Sequence, residues 1–305
     1  MREQKEGRLM NWEEELITLY LVLCKEYKDK LWVTCQRFTN GGLRRFSDEE
    51  AMTLYIFGIK KGLKEIKAIH SYVTSHLQCW FPTLPKYEAF VYRINKLSES
   101  FRALIESLQS KKVTSCDSSV YLVDSFPIAL AQYNHAYKAK VAPELASKSY
   151  NSTKKMYYYG VKAHVVARKR EGRLPEIEIV VFEEAGRQDG PVFDQIRPML
   201  KDNYVFADKA YNRPDAKHVQ HTQNLMVVTP ITKAPGQKQL DAAQKLYSTA
   251  VSRIRQPIET LFGWIQRRTG IQNAGLVRSA AGLLTHLFGR LAAALIFDNF
   301  YLFDF

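Results

Sequence analysis

The chain has 305 residues, 46% of them hydrophobic, enough to bury a sizeable core as one large domain or as a domain with an appendage. Its 44 Lys and Arg against 31 Asp and Glu leave a formal charge of +13, which favours a polyanionic partner, nucleic acid before anionic membrane. Residues 1–112 carry 19 bases and 14 acids and the remainder 25 and 17, so the surplus is not confined to a tail. Cys24, Cys35, Cys79 and Cys116 stand far apart without a Cys-x-x-Cys pair, and read as small apolar residues of a reducing compartment. The polar N-terminus does not resemble a signal peptide. The most apolar stretch, 279–297, is interrupted by His286 and Arg290 and reads as a buried helix rather than a membrane span. A cytoplasmic protein with no membrane partner is expected.

Residues 1–112 read as helices. Asn11-x-x-Glu14 and Ser47-x-x-Glu50 are capping-box patterns. After the first, Trp12, Leu16, Leu19, Tyr20, Leu23 and Tyr27 fall on one helical face. Leu63, Ile66, His70, Val73 and Leu77 repeat the spacing, "FPTLP" (81–85) breaks the chain, and a longer amphipathic pattern runs from Tyr87 to Leu108. Lys60, Lys64 and Lys67 share a face, and with Lys86, Arg93 and Lys96 they offer a helix-turn-helix grip on phosphates. Ordinary solvated helix faces would account for them equally well. This region is expected to bind DNA ends or to dimerise.

Near residue 113 the pattern changes. "SVYLVDSFP" (119–127) is a continuous apolar run that ends in Asp124 and is stopped by Pro127, which predicts a strand buried on both faces. "YYYGVKAHVVAR" (157–168) alternates, "KREGRLP" turns the chain, and "EIEIVVF" (176–182) alternates back as an antiparallel hairpin. A short helix is expected over 191–200. "NYVFADKAY" (203–211) is a second buried run ending in an acid, Asp208. A helix from about Pro214, a strand over 225–230 and a helical C-terminal third follow. The predicted fold class is mixed α/β, of the order a ribonuclease-H-like domain would have, over 113–305.

Both buried runs place a carboxylate at the C-terminal end of a strand, where ligands of open α/β sheets collect. A third acid, Glu259, is the only one between Asp241 and Asp298, an interval that also holds seven Lys and Arg. It lies at the edge of a helical stripe of Ile254, Ile258, Leu261, Phe262 and Ile265, with Pro257 starting or kinking the helix just before it. Three converging carboxylates repel one another, and hard divalent cations relieve the conflict. Two Mg²⁺ or Mn²⁺ ions are the usual device for in-line displacement at phosphorus, and the surrounding bases would hold the polyanion. Strand caps or lysine partners are the bland alternative for each acid. Asp189 in "GRQDGP" reads as an auxiliary acid or, more simply, as a turn or helix-cap residue. His218 and His221 lack a third ligand with zinc spacing and read as a surface pair. Lys154 and Lys155 beside Tyr157, Tyr158 and Tyr159 suit the gripping of a DNA end and stacking on its bases, although a sheet core would claim one face of those tyrosines.

"VDSFP", "ADKAY" and "RQPIETLF" resemble the three acidic motifs of DDE transposases of bacterial insertion sequences, and "KKMYYYGVKAHVV" (154–166) resembles their second strand region. The likeness spans about residues 118–270. It implies a ribonuclease-H-like catalytic domain in which Asp124, Asp208 and Glu259 are the catalytic, metal-binding residues for two Mg²⁺ ions. One branch of that superfamily carries Tyr, Arg, Glu and Lys at fixed spacing around the glutamate. Here Arg255 and Glu259 fit, while Ser252 and Gln266 stand at the tyrosine and lysine positions, with Arg267 adjacent. The reading is therefore a transposase that cuts element ends and joins them to target duplex DNA, as a homo-oligomer on DNA. Arg255, Arg267, Lys154, Lys155, Lys209, Lys86 and Arg93 are the DNA-binding candidates. A nuclease or resolvase of the same fold without strand transfer, and an idle DNA-binding regulator, are the alternatives.

Overall fold

The computed structural model describes residues 11–35, 45–111, 120–152, 154–213 and 221–299. The chain divides into two compact units, one of Met1–Lys111 with Leu284–Phe305, the other of Lys112–Leu283.

The first unit is helical: α1 (Trp12–Asp29), α2 (Asp48–Lys60), α3 (Ile66–His76), α4 (Tyr87–Asn95) and α5 (Ser98–Ser110). Both capping boxes form. Asn11 Oδ1 accepts from the Glu13 and Glu14 amides at 2.7 and 3.0 Å, and Ser47 Oγ from the Glu50 amide at 3.1 Å. The buried face of α1 is rotated from the expected one. Val22 and Glu26 go inside with Leu16, Leu19 and Leu23, whereas Trp12 and Tyr20 remain over a third exposed. Glu26 enters because it is satisfied there, accepting from Ser107 Oγ at 2.7 Å and Lys111 Nζ at 2.6 Å.

Helix α2 is buried from Ala51 to Ile59, which requires cover on every side. Part of that cover is the C-terminal helix, Ala280–Asn299, which sequence order had assigned to the second region. A Cβ at Gly289 would lie 2.7 Å from the Tyr55 ring, so the ring packs directly on the backbone of the C-terminal helix and only glycine leaves room for it. The helix is long and apolar enough to cross a membrane by length and composition, yet 67% of that stretch is buried inside the protein. Its polar groups are answered locally: Thr285 Oγ1 donates to the Ile94 carbonyl at 3.3 Å, Arg290 Nε to His286 Nδ1 at 3.1 Å, and Arg290 Nη2 to the Lys64 carbonyl. A fragment of residues 113–305 is therefore expected to expose this helix and to bind the dye ANS strongly, and one ending at residue 283 to bind it weakly. Equal dye binding by the two fragments would refute the assignment of the helix to the first unit.

The second unit is built on one mixed sheet of β1 (Val120–Gln132), β2 (Ser147–Asn151), β3 (Met156–Arg168), β4 (Glu176–Glu184), β5 (Asn203–Phe206) and β6 (Leu225–Val228). The order is β2-β3-β1-β5-β6. On its outer edge β3 pairs antiparallel with β2 over 156–160 and with β4 over 161–168, so those two strands lie end to end. On its inner edge β3 pairs antiparallel with β1, while β1, β5 and β6 run parallel. Strand β2 has no counterpart in the sequence reading, because "SKSYN" is too polar and short to signal one.

Pro127 does not end β1, contrary to expectation. Strand β5 pairs β1 only over Val120–Leu122, so beyond Leu122 that side of β1 is an open edge. A residue without an N–H is tolerated on such an edge. Two residues on, the same edge is taken up by a later segment: Ala129 N donates to the Gln272 carbonyl and Ala274 N to the Ala129 carbonyl, each at 2.9 Å. A bulge at Leu130 shifts the β1–β3 register. At Gly160 a Cβ would stand 2.1 Å from the Ile128 carbonyl oxygen, so only glycine fits that crossing.

One face of the sheet is covered by α6 (Asp189–Ile196), whose Val192, Phe193 and Ile196 pack on Val123, Val166, Val205, Ala207 and Leu225. The opposite face receives α8 (Pro257–Thr269), which follows α7 (Ala242–Arg255) after a break at Gln256. The Phe126 and Phe262 rings meet there with centroids 4.7 Å apart. Gly270, in the left-handed conformation, terminates α8. The helix expected from Pro214, together with His218 and Cys116, lies outside the described residues.

Candidate active site

Leu122 of β1 is in register with Phe206 of β5. Two residues further along each parallel strand stand Asp124 and Asp208, which brings the carboxylates level. Their chain neighbours Val123 and Ala207 point into the α6 core, so alternation turns both acids to the opposite face. Asp208 is still extended (φ −76°, ψ 170°) and caps the following 3₁₀ turn, accepting from the Lys209 amide at 2.7 Å. That same face carries α8, and Glu259 sits in its first turn, where the helix dipole favours a negative charge.

Asp124 feels the charge of both other acids. Burial pushes the Asp124 carboxyl up to about 6; Arg255 and the Ser125 amide, at 2.8 Å, oppose the shift, and the negative charges of Asp208 and Glu259 add to it. A single guanidinium links two of them: Arg255 Nη1 donates to Asp124 Oδ2, and Nη2 to Glu259 Oε1 at 2.6 Å. Among the described residues no group of three His, Cys, Asp or Glu is close enough to hold a metal ion. The donor chemistry nevertheless suits a hard divalent cation, with oxygen-only ligands and a partly buried carboxylate crowded by two like charges.

The remaining candidates separate by face and by partner. Asp189 is the first residue of α6 and lies behind the acids, accepting from Lys162 Nζ at 2.9 Å and from Ser125 Oγ at 3.3 Å. His164, next to it, is held neutral by burial, with its pKa lowered to about 4. Lys209 and Arg267 are exposed, and Lys154 and Lys155 are exposed at the tip of the β2–β3 hairpin. Gln266 accepts from the Gln272 amide at 2.8 Å and Ser252 Oγ donates to the Ser248 carbonyl at 2.8 Å, so both serve their local backbone. Beside the α7–α8 break, Arg173, Arg253, Gln256 and Thr260 help to line a shallow cleft of about 250 Å³.

In the helical unit Lys86 is exposed ahead of α4. Arg93 is not: its side chain is 13% exposed, its Nε donates at 2.9 Å to a fully buried Asp48, and its guanidinium lies over the Phe46 ring. Of the expected stacking tyrosines only Tyr157 reaches the surface. Tyr158 packs on Ala129 and Ala185, and the Tyr159 hydroxyl donates to the Val141 carbonyl at 3.1 Å. Sequence reasoning missed that Tyr150 lies opposite Tyr157, since the strand carrying it went unrecognised.

Sheet order, strand directions and flanking helices are those of a ribonuclease-H-like domain. A family model described as the transposase DDE domain matches residues 115–296, more than half of the chain, and the chain belongs to that family. It is a transposase, an enzyme that acts on DNA, from a family that uses divalent metal ions. No curated protein and no solved structure was found to match it.

Proposed function

We propose that this transposase cuts the ends of an insertion sequence and joins them to target DNA, with Asp124, Asp208 and Glu259 as its catalytic carboxylates. The observation that carries the reading is the level placement of Asp124 and Asp208 on adjacent parallel strands, with Glu259 linked to Asp124 through Arg255. The three side chains would hold two Mg²⁺ or Mn²⁺ ions, which when bound supply activation of the attacking oxygen and stabilisation of the leaving one.

In the first step the oxygen of water bonds to phosphorus at the element's end, and the 3′-oxygen leaves and takes up a proton. In the second that 3′-hydroxyl loses its proton and attacks a target phosphodiester, displacing the target's own 3′-oxygen. No covalent bond to the enzyme forms. The protein's part is to hold the strand in line and exclude competing geometries. Arg255 keeps Asp124 and Glu259 together, and Arg267, Lys209, Lys154 and Lys155 offer exposed charge to phosphates. Phosphate contacts carry no base sequence, so recognition of the ends is assigned to the helical region around α3 and α4, with Lys86 at its surface, in a homo-oligomer on DNA. The test is incubation of the protein with Mg²⁺ and the DNA flanking its own gene. Nicks at the element's ends together with end-to-target junctions support the reading, and nicks without junctions reduce it to a nuclease.

A further inference from the structure

Three tyrosine rings stand together on the surface of the sheet unit, at the end of β3 remote from the carboxylates. Tyr150 and Tyr157 are direct cross-strand partners with ring centroids 5.0 Å apart. Tyr137, from the 3₁₀ turn Tyr133–Tyr137, places its ring 5.7 Å from that of Tyr157. All three are half exposed, at 56% for Tyr137, 51% for Tyr150 and 50% for Tyr157. Single exposed aromatics are ordinary, but a contiguous group marks a surface that is covered when the protein works.

The charge around the rings states what covers them. Lys148 Nζ lies 5.6 Å from the centre of the Tyr137 ring. Lys154 and Lys155 are exposed at the hairpin tip, just beyond the Asn151–Met156 pair that closes it. Acidic charge also reaches this end of the strand, from Glu144 to Tyr159 and from Asp189 to Tyr158. Aromatic faces interleaved with cations match a nucleic-acid strand, phosphates on the lysines and bases on the rings. Intact duplex hides its base faces within the stack, so the rings can serve only bases that are unpaired.

We propose that Tyr137, Tyr150 and Tyr157, with Lys148, Lys154 and Lys155, form a platform that stacks the unpaired bases of a DNA strand. The platform rests on the reading of this chain as a transposase acting on DNA, and extends it to the single-stranded segments that strand cutting exposes. Alternation along β3 puts Tyr157 on the same face as Val165, the residue paired with Asp124. Eight residues separate Tyr157 from Val165, or about 26 Å at ~3.3 Å per strand residue. At the duplex rise of ~3.4 Å per nucleotide that span is about eight nucleotides, and an extended unpaired strand crosses it with fewer.

The test uses the full chain and two probes, a single-stranded oligothymidylate of about 12 nucleotides carrying one 2-aminopurine and a blunt duplex of about 20 base pairs. Wild-type protein is expected to bind the single strand and quench the 2-aminopurine as it stacks. Tyr150→Ala with Tyr157→Ala is expected to lose about ten-fold or more in single-strand affinity while duplex affinity changes less than about two-fold. Tyr150→Leu with Tyr157→Leu, which keeps apolar bulk and guards against a folding defect, should lose as much, and the paired Phe variants should bind as the wild type does. Single-strand affinity unchanged in the Ala and Leu variants, or lost equally in the Phe variants, overturns the platform and leaves the transposase reading standing on duplex binding. Wild-type protein that binds neither probe overturns both.

Discussion

Asp124→Asn is expected to abolish Mg²⁺-dependent DNA cleavage, by on the order of 10³-fold or more, while giving a protein at least as stable as the parent at neutral pH. The activity loss follows from removing a carboxylate whose proposed role is to help hold charge worth several kcal/mol to the transition state. Stability moves the other way because Asp124 is an unfavourable anion in the folded protein. Its pKa rises from the ordinary 3.8 to about 6, chiefly through burial. A raised pKa means that the folded state binds the proton more tightly, so the associated stability is full below about pH 4 and is lost as pH rises through about 6. At pH 7.5 the ionised side chain therefore costs roughly 1–3 kcal/mol, which asparagine avoids. Urea midpoints of the two proteins at pH 7.5 and pH 4, without metal, read the difference; it should be present at the first and small at the second. Asp208→Asn and Glu259→Gln, at exposed positions, should match the loss of cleavage without that gain. Retained cleavage in any of the three variants removes that residue from the site.

Arg93→Ala is expected to destabilise the helical unit by about 3–5 kcal/mol, the usual consequence of stripping one partner from a buried ion pair. Asp48 is left behind fully buried, in the first turn of α2, and the guanidinium's packing over Phe46 goes too. Replacing Asp48 and Arg93 together by apolar residues should cost less than Arg93→Ala alone, because no uncompensated charge remains. Denaturant midpoints across the double-mutant cycle measure this, and additive costs would mean that the pair contributes nothing through its contact. The same variant bears on DNA binding: affinity lost in proportion to the unfolded fraction would mark Arg93 as structural, and affinity lost by folded protein would restore it to the DNA surface.

Much of the candidate site's placement was legible because its signals are local. An apolar run ending in an acid is visible within nine residues, and it occurs twice, at "SVYLVD" and "NYVFAD". The isolation of Glu259 among bases, its position after Pro257 and its i, i+4 relation to Arg255 are also matters of spacing, and the helix and ion pair form accordingly. Capping boxes at Asn11 and Ser47 are read from four residues each. Polar alternation failed at "SKSYN", where a five-residue strand depends on the preformed edge of β3 rather than on its own composition.

What the amino-acid sequence determined by itself was therefore which segments would be apolar on one face or two, where helices would start, and which acids stood at element ends. Only the tertiary structure decided what each of those faces and charges would meet. Arg255 reaches Asp124 across 131 residues, Arg93 turns inward to Asp48 rather than outward to phosphate, and Pro127 survives inside a strand because its neighbour β5 has already departed. The C-terminal helix joins the helical unit at the far end of the chain, since the cover α2 needs does not come from its nearest neighbours alone. Periodicity records that a surface must be buried, and composition records that a charge is present. Neither records the partner, because the free energy of a contact depends on what is close in space, and chain order leaves that open.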